Sequence, residues 1–435
     1  MKKNITKYLL LALACLGLQS CLFQEENYFD DSSANRATAD VSRCGELLKG
    51  APNGWVMEYY VGKDYSLGGI TLLCRFDGQR VTMASQMSEA DETVSSLYSV
   101  KSEQATMLSF DTYNYLVHYF GQPQGSMSDD PNGTLGGDYE FIISSASAER
   151  IELKGKKYGN RIVMKALTED QTWKQYLTKI KKVEDDAFFY EYDLLMDGLY
   201  TGQMIRSNYT FIVTYYDEIG KVHQKTVPFM FTADGLRFHE PVTIDGQTMQ
   251  NFVWKNEEIS FVCTDEGATE VKLAGVYTAG YQSYDYYPGT YQMDFYRLND
   301  ATNQMEVASQ EIQLVKDEDG KSYWLKGLEY DILVTYDKPR GGLSILPQFL
   351  KKVQGGYVYL AMWDLMNDYV LRSSAIGLIS YPTTDGIYLV DNGVWMGEIS
   401  GFIFGVYDSQ DEEASFMGYT DAVAAIRLIK KTIEE

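Results

Sequence analysis

A chain of 435 residues with a formal net charge of −23 and 61 acidic side chains presents a surface that repels phosphate backbones and anionic headgroups, which sets nucleic acid aside as a partner. At about 150 residues per domain the length provides for two or three domains, each able to bury its own core. Beyond residue 21 the cysteines are Cys44, Cys74 and Cys263, an odd number at wide spacings and no disulfide framework.

Lys2, Lys3 and Lys7 precede an uninterrupted apolar run, "YLLLALACLGL" (residues 8–18), too short to cross a bilayer as a helix, which takes about 20 apolar residues. "LQSC" follows, with Leu18 three before Cys21 and the small Ser20 directly before it. This pattern resembles the bacterial lipoprotein box, in which the cysteine sulfur receives a diacylglycerol and cleavage makes that cysteine residue one. The resemblance implies a signal peptide over 1–20 and a membrane partner reached through the lipid anchor at Cys21. An ordinary secretory cleavage near Ser20 is the alternative, and Cys15 is a rival that lacks the leucine three before it. One acyl chain holds only marginally, at about 0.8 kcal/mol per buried methylene, whereas several on one cysteine anchor durably. Glu25, Glu26, Asp30 and Asp31 come next. Such a cluster is similar to the signal for display on the outer face of the outer membrane in gut Bacteroidota lipoproteins, the plain alternative being a solvated acidic linker. The expected location is therefore the outer membrane, lipid-anchored and facing the exterior.

Residues 32–50 predict a helix: Ser32 or Ser33 caps it, Ala34, Ala37, Val41, Cys44 and Leu48 recur at helical spacing, and Gly50 with Pro52 stops it. "PNGWVMEYYV" then opens a strand-rich body with Trp55, Met57 and Tyr59 alternating on one face. "CRFDGQRVTM" sets Asp77 and Gly78 between two alternating runs, a hairpin signal because a tight turn needs positive φ. "DYEFII" places Tyr139, Phe141 and Ile143 together, and "RIELK" turns Ile151 and Leu153 inward, as in antiparallel sheet with one wet side. His118 in "YLVHYF" reads as a structural strand residue. A second helix is predicted near 169–181, with Thr168 and Gln171 as a capping box and Trp173, Tyr176, Leu177 and Ile180 as its apolar stripe. Strands resume at "YTFIVTYY" and "TVPFMF", and the polar "TDEGATE" (264–270) reads as a linker. Beyond it come "TYQMDFY", a hairpin turn in "KDEDGKSYW", and "AVAAIRLIKKTI" as a closing strand with a helix as rival. The fold class expected is mainly β: antiparallel meander sheets forming barrel- or sandwich-like domains. The expected divisions are a tether and helix over 21–50, one β domain over 51–265 and another over 266–435.

The lipobox, the acidic tether, "YFDDSSANR", "APNGWVMEYY", the pair Gly68 and Gly69, "LSFDTYN" and "GGDYEF" resemble one of the large uncharacterised lipoprotein families of gut Bacteroidota, over residues 25–265. Members of that family sit beside starch-utilisation-type transporters. The resemblance carries no catalytic residue, and it implies an accessory component of a nutrient-uptake system with a transporter complex as partner.

Chemistry-bearing motifs are sparse. His118, His223 and His239 are scattered, no G-x-S-x-G elbow occurs, and the glycine pairs lack the lysine of a phosphate loop. No catalytic residue, metal ligand or cofactor is expected. A glycoside hydrolase needs only two acids across a cleft, for which Glu58, Asp138 and Glu140 stand near aromatic neighbours. "DDPNG" (129–133) and "DEDG" (317–320) read as turns before calcium loops. The cluster "YQSYDYYPGTY" places Tyr281, Tyr284, Tyr286 and Tyr287 with Asp285 ahead of a Pro288–Gly289 turn, where exposed rings stack on sugars and a carboxylate bonds to hydroxyls. The function expected is non-catalytic: a surface lipoprotein that binds a glycan, a peptide or a transport partner. A hydrolase with two unidentified carboxylates and a structural or adhesive surface protein are the alternatives.

Overall fold

The computed structural model describes residues 32–123, 133–217, 219–299, 302, 304–411 and 413–431; the signal peptide, Cys21, the acidic cluster and most of "DDPNG" lie outside the described residues. Ser32 accepts the amide of Asn35 at 3.2 Å and caps the helix Ser33–Lys49 (α1), which ends at Gly50. Cys44 and Leu48 are its fully buried residues. Trp55 Nε1 donates to the Leu48 carbonyl at 2.8 Å, so the helix end is tied to the first strand by the hydrogen bond that a buried indole requires.

Eight antiparallel strands follow: Trp55–Val61 (β1), Gly68–Asp77 (β2), Arg80–Ser85 (β3), Val94–Ser102 (β4), Thr106–Phe110 (β5), Glu140–Ala146 (β6), Arg150–Gly155 (β7) and Arg161–Ala166 (β8). They pair in sequence order, and β8 pairs back onto β1 to close a barrel. The turn between β2 and β3 falls at Gly78 and Gln79, where Gly78 takes a φ of 57°. Trp55, Met57, Tyr59, Leu72, Phe141, Ile151 and Met164 fill the interior, as expected for a small closed sheet. One wet face holds for β7, whose Ile151 and Leu153 alternate inward, but not for β1, all seven residues of which are buried. Its outward side chains Glu58 and Tyr60 are covered by Arg237 and His239 of the same compact unit. His118 is not on a strand. Asn114 caps a single helical turn, Tyr115–His118 (α2), by accepting the Leu116 amide at 3.1 Å, and this local side-chain bond overrides the alternating pattern. The His118 ring stacks on Tyr139 at 4.6 Å.

The second long helix, Trp173–Asp186 (α3), buries Leu177, Ile180 and Val183. Its capping box is not Thr168 with Gln171 but Thr172 with Gln175: the Gln175 amide donates to Thr172 Oγ1 at 3.2 Å, and the Thr172 amide donates to Gln175 Oε1 at 2.9 Å. Thr168 instead gives its hydroxyl to Asp170. A second closed barrel comprises Glu191–Met196 (β9), Leu199–Ser207 (β10), Thr210–Tyr216 (β11), Val222–Phe231 (β12), Gly235–Ile244 (β13), Gln247–Lys255 (β14), Ser260–Cys263 (β15) and Val271–Val276 (β16). The stretch 264–270, read as a linker, joins β15 to β16 within this barrel as a hairpin connection.

The remaining strands form a 12-stranded sheet: Gly289–Asn299 (β17), Gln304–Lys316 (β18), Ser322–Lys326 (β19), Ile332–Asp337 (β20), Gly342–Ile345 (β21), Gln348–Val353 (β22), Gly356–Asp364 (β23), Tyr369–Leu371 (β24), Leu378–Thr383 (β25), Gly386–Asp391 (β26), Gly401–Tyr407 (β27) and Phe416–Lys430 (β28). β17 also pairs with β28, which closes the ring β17-β18-β19-β20-β21-β25-β26-β28 around Met293, Phe295, Ile312, Leu325, Ile345 and Leu428. Among the described residues the closing segment is thus a strand, and it ends at Lys430. Along the edge opposite β17 it is long enough to serve two neighbours: residues 416–424 pair with β27, and 427–428 pair with β26. Between them Ala425 takes a φ of 50°. Strands β27, β23 and β22, with β24 beside β23, continue outward from β28 as an apron.

By its contacts the chain divides into two compact units. Of the described residues, one holds those up to 183 with 208–211 and 226–253, and the other those of 184–207, 212–225 and from 254 on.

Candidate functional site

Strand register in the apron sets one aromatic ring from each of four strands side by side. Phe349 on β22 is the register partner of Tyr359 on β23, and Tyr407 on β27 is the partner of Phe416 on β28. Tyr359 faces Gly405 across β23 and β27. A Cβ at Gly405 would stand 2.9 Å from the Tyr407 ring and 3.0 Å from the Phe416 ring; the missing side chain therefore makes room for the row. Ring centroids are spaced at 5.4 Å (Phe349–Tyr359), 5.8 Å (Tyr359–Tyr407) and 5.5 Å (Tyr407–Phe416), within the range of favourable edge-to-face contact.

Arg372, just after β24, spans the middle of this row. Its guanidinium carbon lies 4.8 Å from the Tyr359 centroid and 4.2 Å from that of Tyr407, and Nη2 donates to the Asp411 carbonyl at 2.5 Å. Burial pushes the Tyr407 phenol up, and the Arg372 charge opposes that rise. The two end rings, Phe349 and Phe416, are each 45% exposed, an unusual position for large apolar side chains on a strand unless something covers them. Together with Gln348, Ser373, Ser374 and Gln410 these groups line a cleft of about 730 Å³, within the size range of small-ligand sites. The Gln348 carboxamide is taken up by the Leu333 backbone, which leaves the exposed faces of Phe349 and Phe416, one guanidinium, two hydroxyls and the Gln410 carboxamide for a ligand with an apolar ring face and a polar edge.

The sequence-predicted tyrosines are held together, but mostly inward. Tyr287 is fully buried and donates to the Gly341 carbonyl at 2.8 Å. Tyr284 stacks on Tyr323 at 4.7 Å and donates to the Ser322 carbonyl at 2.8 Å. Tyr281 lies half-buried, its hydroxyl accepting from Tyr336 at 3.1 Å. Tyr286, 39% exposed, packs edge-on against Tyr287 with Lys430 above it, and the exposed Asp285 meets Lys316. Of the five predicted residues, Asp285 and Tyr286 are therefore the exposed ones.

The three carboxylates weighed as acids all have protein partners. Glu58 is buried between Lys165, at 2.8 Å, and Arg237. Asp138 accepts the amides of Lys157 at 2.7 Å and Tyr158 at 3.1 Å; burial raises its carboxyl and these bonds oppose the rise. Glu140 sits between Lys101 and Lys156, at 2.8 and 3.0 Å, and is held below the usual carboxylate range. In "DEDG", Asp319 caps the amides of Lys321 and Ser322 at 2.7 and 2.9 Å, which is turn chemistry. Among the described residues no group of three or more His, Cys, Asp or Glu side chains is placed to hold a metal ion.

The family model for a domain of unknown function, DUF4302, matches residues 25–256. The chain belongs to this family. Residues 264–403 match a second model, DUF4987, likewise described only as a domain of unknown function. The DUF4302 match covers α1, the first barrel and the second as far as β14. The DUF4987 match takes in Phe349, Tyr359 and Arg372 and ends before Tyr407 and Phe416. No curated protein matches. Among solved structures, a protein of unknown function from the DUF3598 family of Nostoc punctiforme is similar at 8% identity, covering 57% of this chain and 98% of that one, with a TM-score of 0.15. The intact Ap-TbpB, N and C lobes, is similar at 10% identity over 87% of this chain and 76% of that one, also with a TM-score of 0.15.

Proposed function

We propose that this DUF4302 protein is a non-catalytic, surface-anchored glycan-binding lipoprotein, accessory to an outer-membrane nutrient-uptake system of starch-utilisation type in Bacteroidota. The anchor is the lipid on Cys21, and the exterior location rests on the acidic residues after it. What supports binding is the four-ring row Phe349–Tyr359–Tyr407–Phe416 with Arg372 across it. Sugar rings present C–H faces that stack on aromatic rings, and their hydroxyls bond to the guanidinium, the serine hydroxyls and the Gln410 carboxamide at the rim. Holding a sugar in this way needs no bond to break. The transport machinery is the natural partner of a lidded or tethered binding protein at this location.

The test is calorimetry of the mature chain, carrying Cys21→Ser so that it stays soluble, against a panel of oligosaccharides. We expect at least one to bind, and Phe349→Ala combined with Phe416→Ala to weaken it about fivefold or more, since stacking of this kind is worth about 0.5–1.5 kcal/mol per ring pair. Undiminished binding in the double variant would place the ligand elsewhere.

A further inference from the structure

The outward face of β1 carries a buried carboxylate, Glu58, held by Lys165 at 2.8 Å and by Arg237 Nη2. That would complete an ordinary ion cluster, yet Arg237 Nε is also buried and has no hydrogen-bond partner. An unpaired buried donor is costly, more so when the group is charged. The same cleft, about 440 Å³, is lined further by Arg150, Arg161, His239 and Glu240, all within one compact unit. Its lining thus sets three arginines against two glutamates in a chain whose net charge is −23.

The arginines are pre-positioned. Glu152 accepts from Arg150 at 3.1 Å and from Arg161 at 3.2 Å, which holds the two guanidinium groups beside each other while leaving further donors of each fork available. The His239 ring forms a fixed wall, 4.3 Å from Tyr60 and 4.0 Å from Tyr65. Burial first, and then the Arg150 charge, hold Lys165 below its ordinary value. Burial also lowers His239, with Arg161 and Arg237 adding to the effect and Glu240 opposing it.

We propose that this cleft is an oxyanion site, one that takes the carboxylate or sulfate group of an acidic small ligand such as an acidic sugar. Guanidinium forks match the paired oxygens of such groups, and a positive cleft in an acidic protein concentrates anions where the rest of the surface repels them. A neutral ligand would leave the surplus positive charge unanswered. The site is separate from the aromatic cleft and does not depend on the reading given to it.

The probes are sodium sulfate, glucuronate and, as the neutral control, glucose, titrated calorimetrically into the mature Cys21→Ser chain at low ionic strength. We expect sulfate or glucuronate to bind with glucose silent at this site, and affinity to fall as salt is added. Arg150→Ala and Arg161→Ala should each weaken the anion at least tenfold. These two side chains are 44% and 61% exposed and lie outside the Glu58 cluster, so both variants should melt as the parent does. Phe349→Ala should leave anion binding unchanged. The proposal is overturned if neither anion binds at tens of millimolar, or if binding survives both arginine variants or is lost with Phe349→Ala instead.

Discussion

Gly405 shows how a single missing side chain sets the proposed site. It lies across from Tyr359, and the space of its absent Cβ is taken by Tyr407 and Phe416. Gly405→Ala should push these rings apart, at a stability cost of about 1–3 kcal/mol for overpacking, and lower oligosaccharide affinity several-fold. Melting curves and calorimetry read the two effects separately. No local signal in the sequence announces this position, because its neighbours arrive from residues 359, 416 and 419 through strand register. The tyrosines at 281–287 were legible as a group, since so many rings in one short run must pack together. Their direction was not: whether a ring faces water depends on Tyr323 and Tyr336, 36 to 55 positions away by sequence, and on carbonyls that accept its hydroxyl. In the sequence Glu58 is a strand acid with aromatic neighbours. Its lysine and arginine partners come from β8 and β13, which alternation alone cannot assign.

Individual elements were easier to read where the signal is local. α1 runs between the expected cap and stop, with Ser32 as its N-cap and Gly50 at its end. For α3 the pattern was degenerate: Thr168-x-x-Gln171 and Thr172-x-x-Gln175 have the same spacing, and Asp170 removes the first by taking the Thr168 hydroxyl. The closing of the third ring depends on a seam that no local pattern displays. Asp294 on β17 and Arg427 on β28 are direct register partners at 2.9 Å, and Arg427 also reaches Asp385 at 3.0 Å. Arg427 foremost, with Gln292 and Ser309, holds the Asp294 carboxyl down to about 2 from its ordinary 3.8. A depressed carboxylate stabilises the fold above its unfolded value and loses that contribution as pH falls towards the folded one. Asp294→Asn should therefore cost about 0.2–1 kcal/mol at neutral pH, the range for a cross-strand ion pair. The difference should shrink between pH 4 and pH 2. Urea unfolding at pH 7 and pH 2 checks it, and a pH-independent difference would assign the effect to packing.

For the molecule as a whole, antiparallel β structure was legible from short alternating runs and glycine turns, because alternation follows directly from the two faces of a strand. Ring closure was not, since β1 with β8 and β17 with β28 pair over separations of about a hundred residues or more, chosen by register and not by neighbours in sequence. The proposed anchoring also belongs to this scale. Cys21→Ala should move the protein from the membrane fraction to the soluble one, with its melting curve unchanged, and fractionation followed by immunodetection reads the shift. Retention in the membrane would contradict a lipid tether at that residue.

The central claim is that the aromatic cleft of the apron holds a glycan, and hydrogen exchange of the mature chain, with and without a saturating oligosaccharide that binds it, tests this most directly. The account predicts slowed exchange in peptides spanning 347–360, 370–374 and 405–417, with the first barrel unaffected. Slowed exchange elsewhere, with these peptides unchanged at saturation, would contradict it.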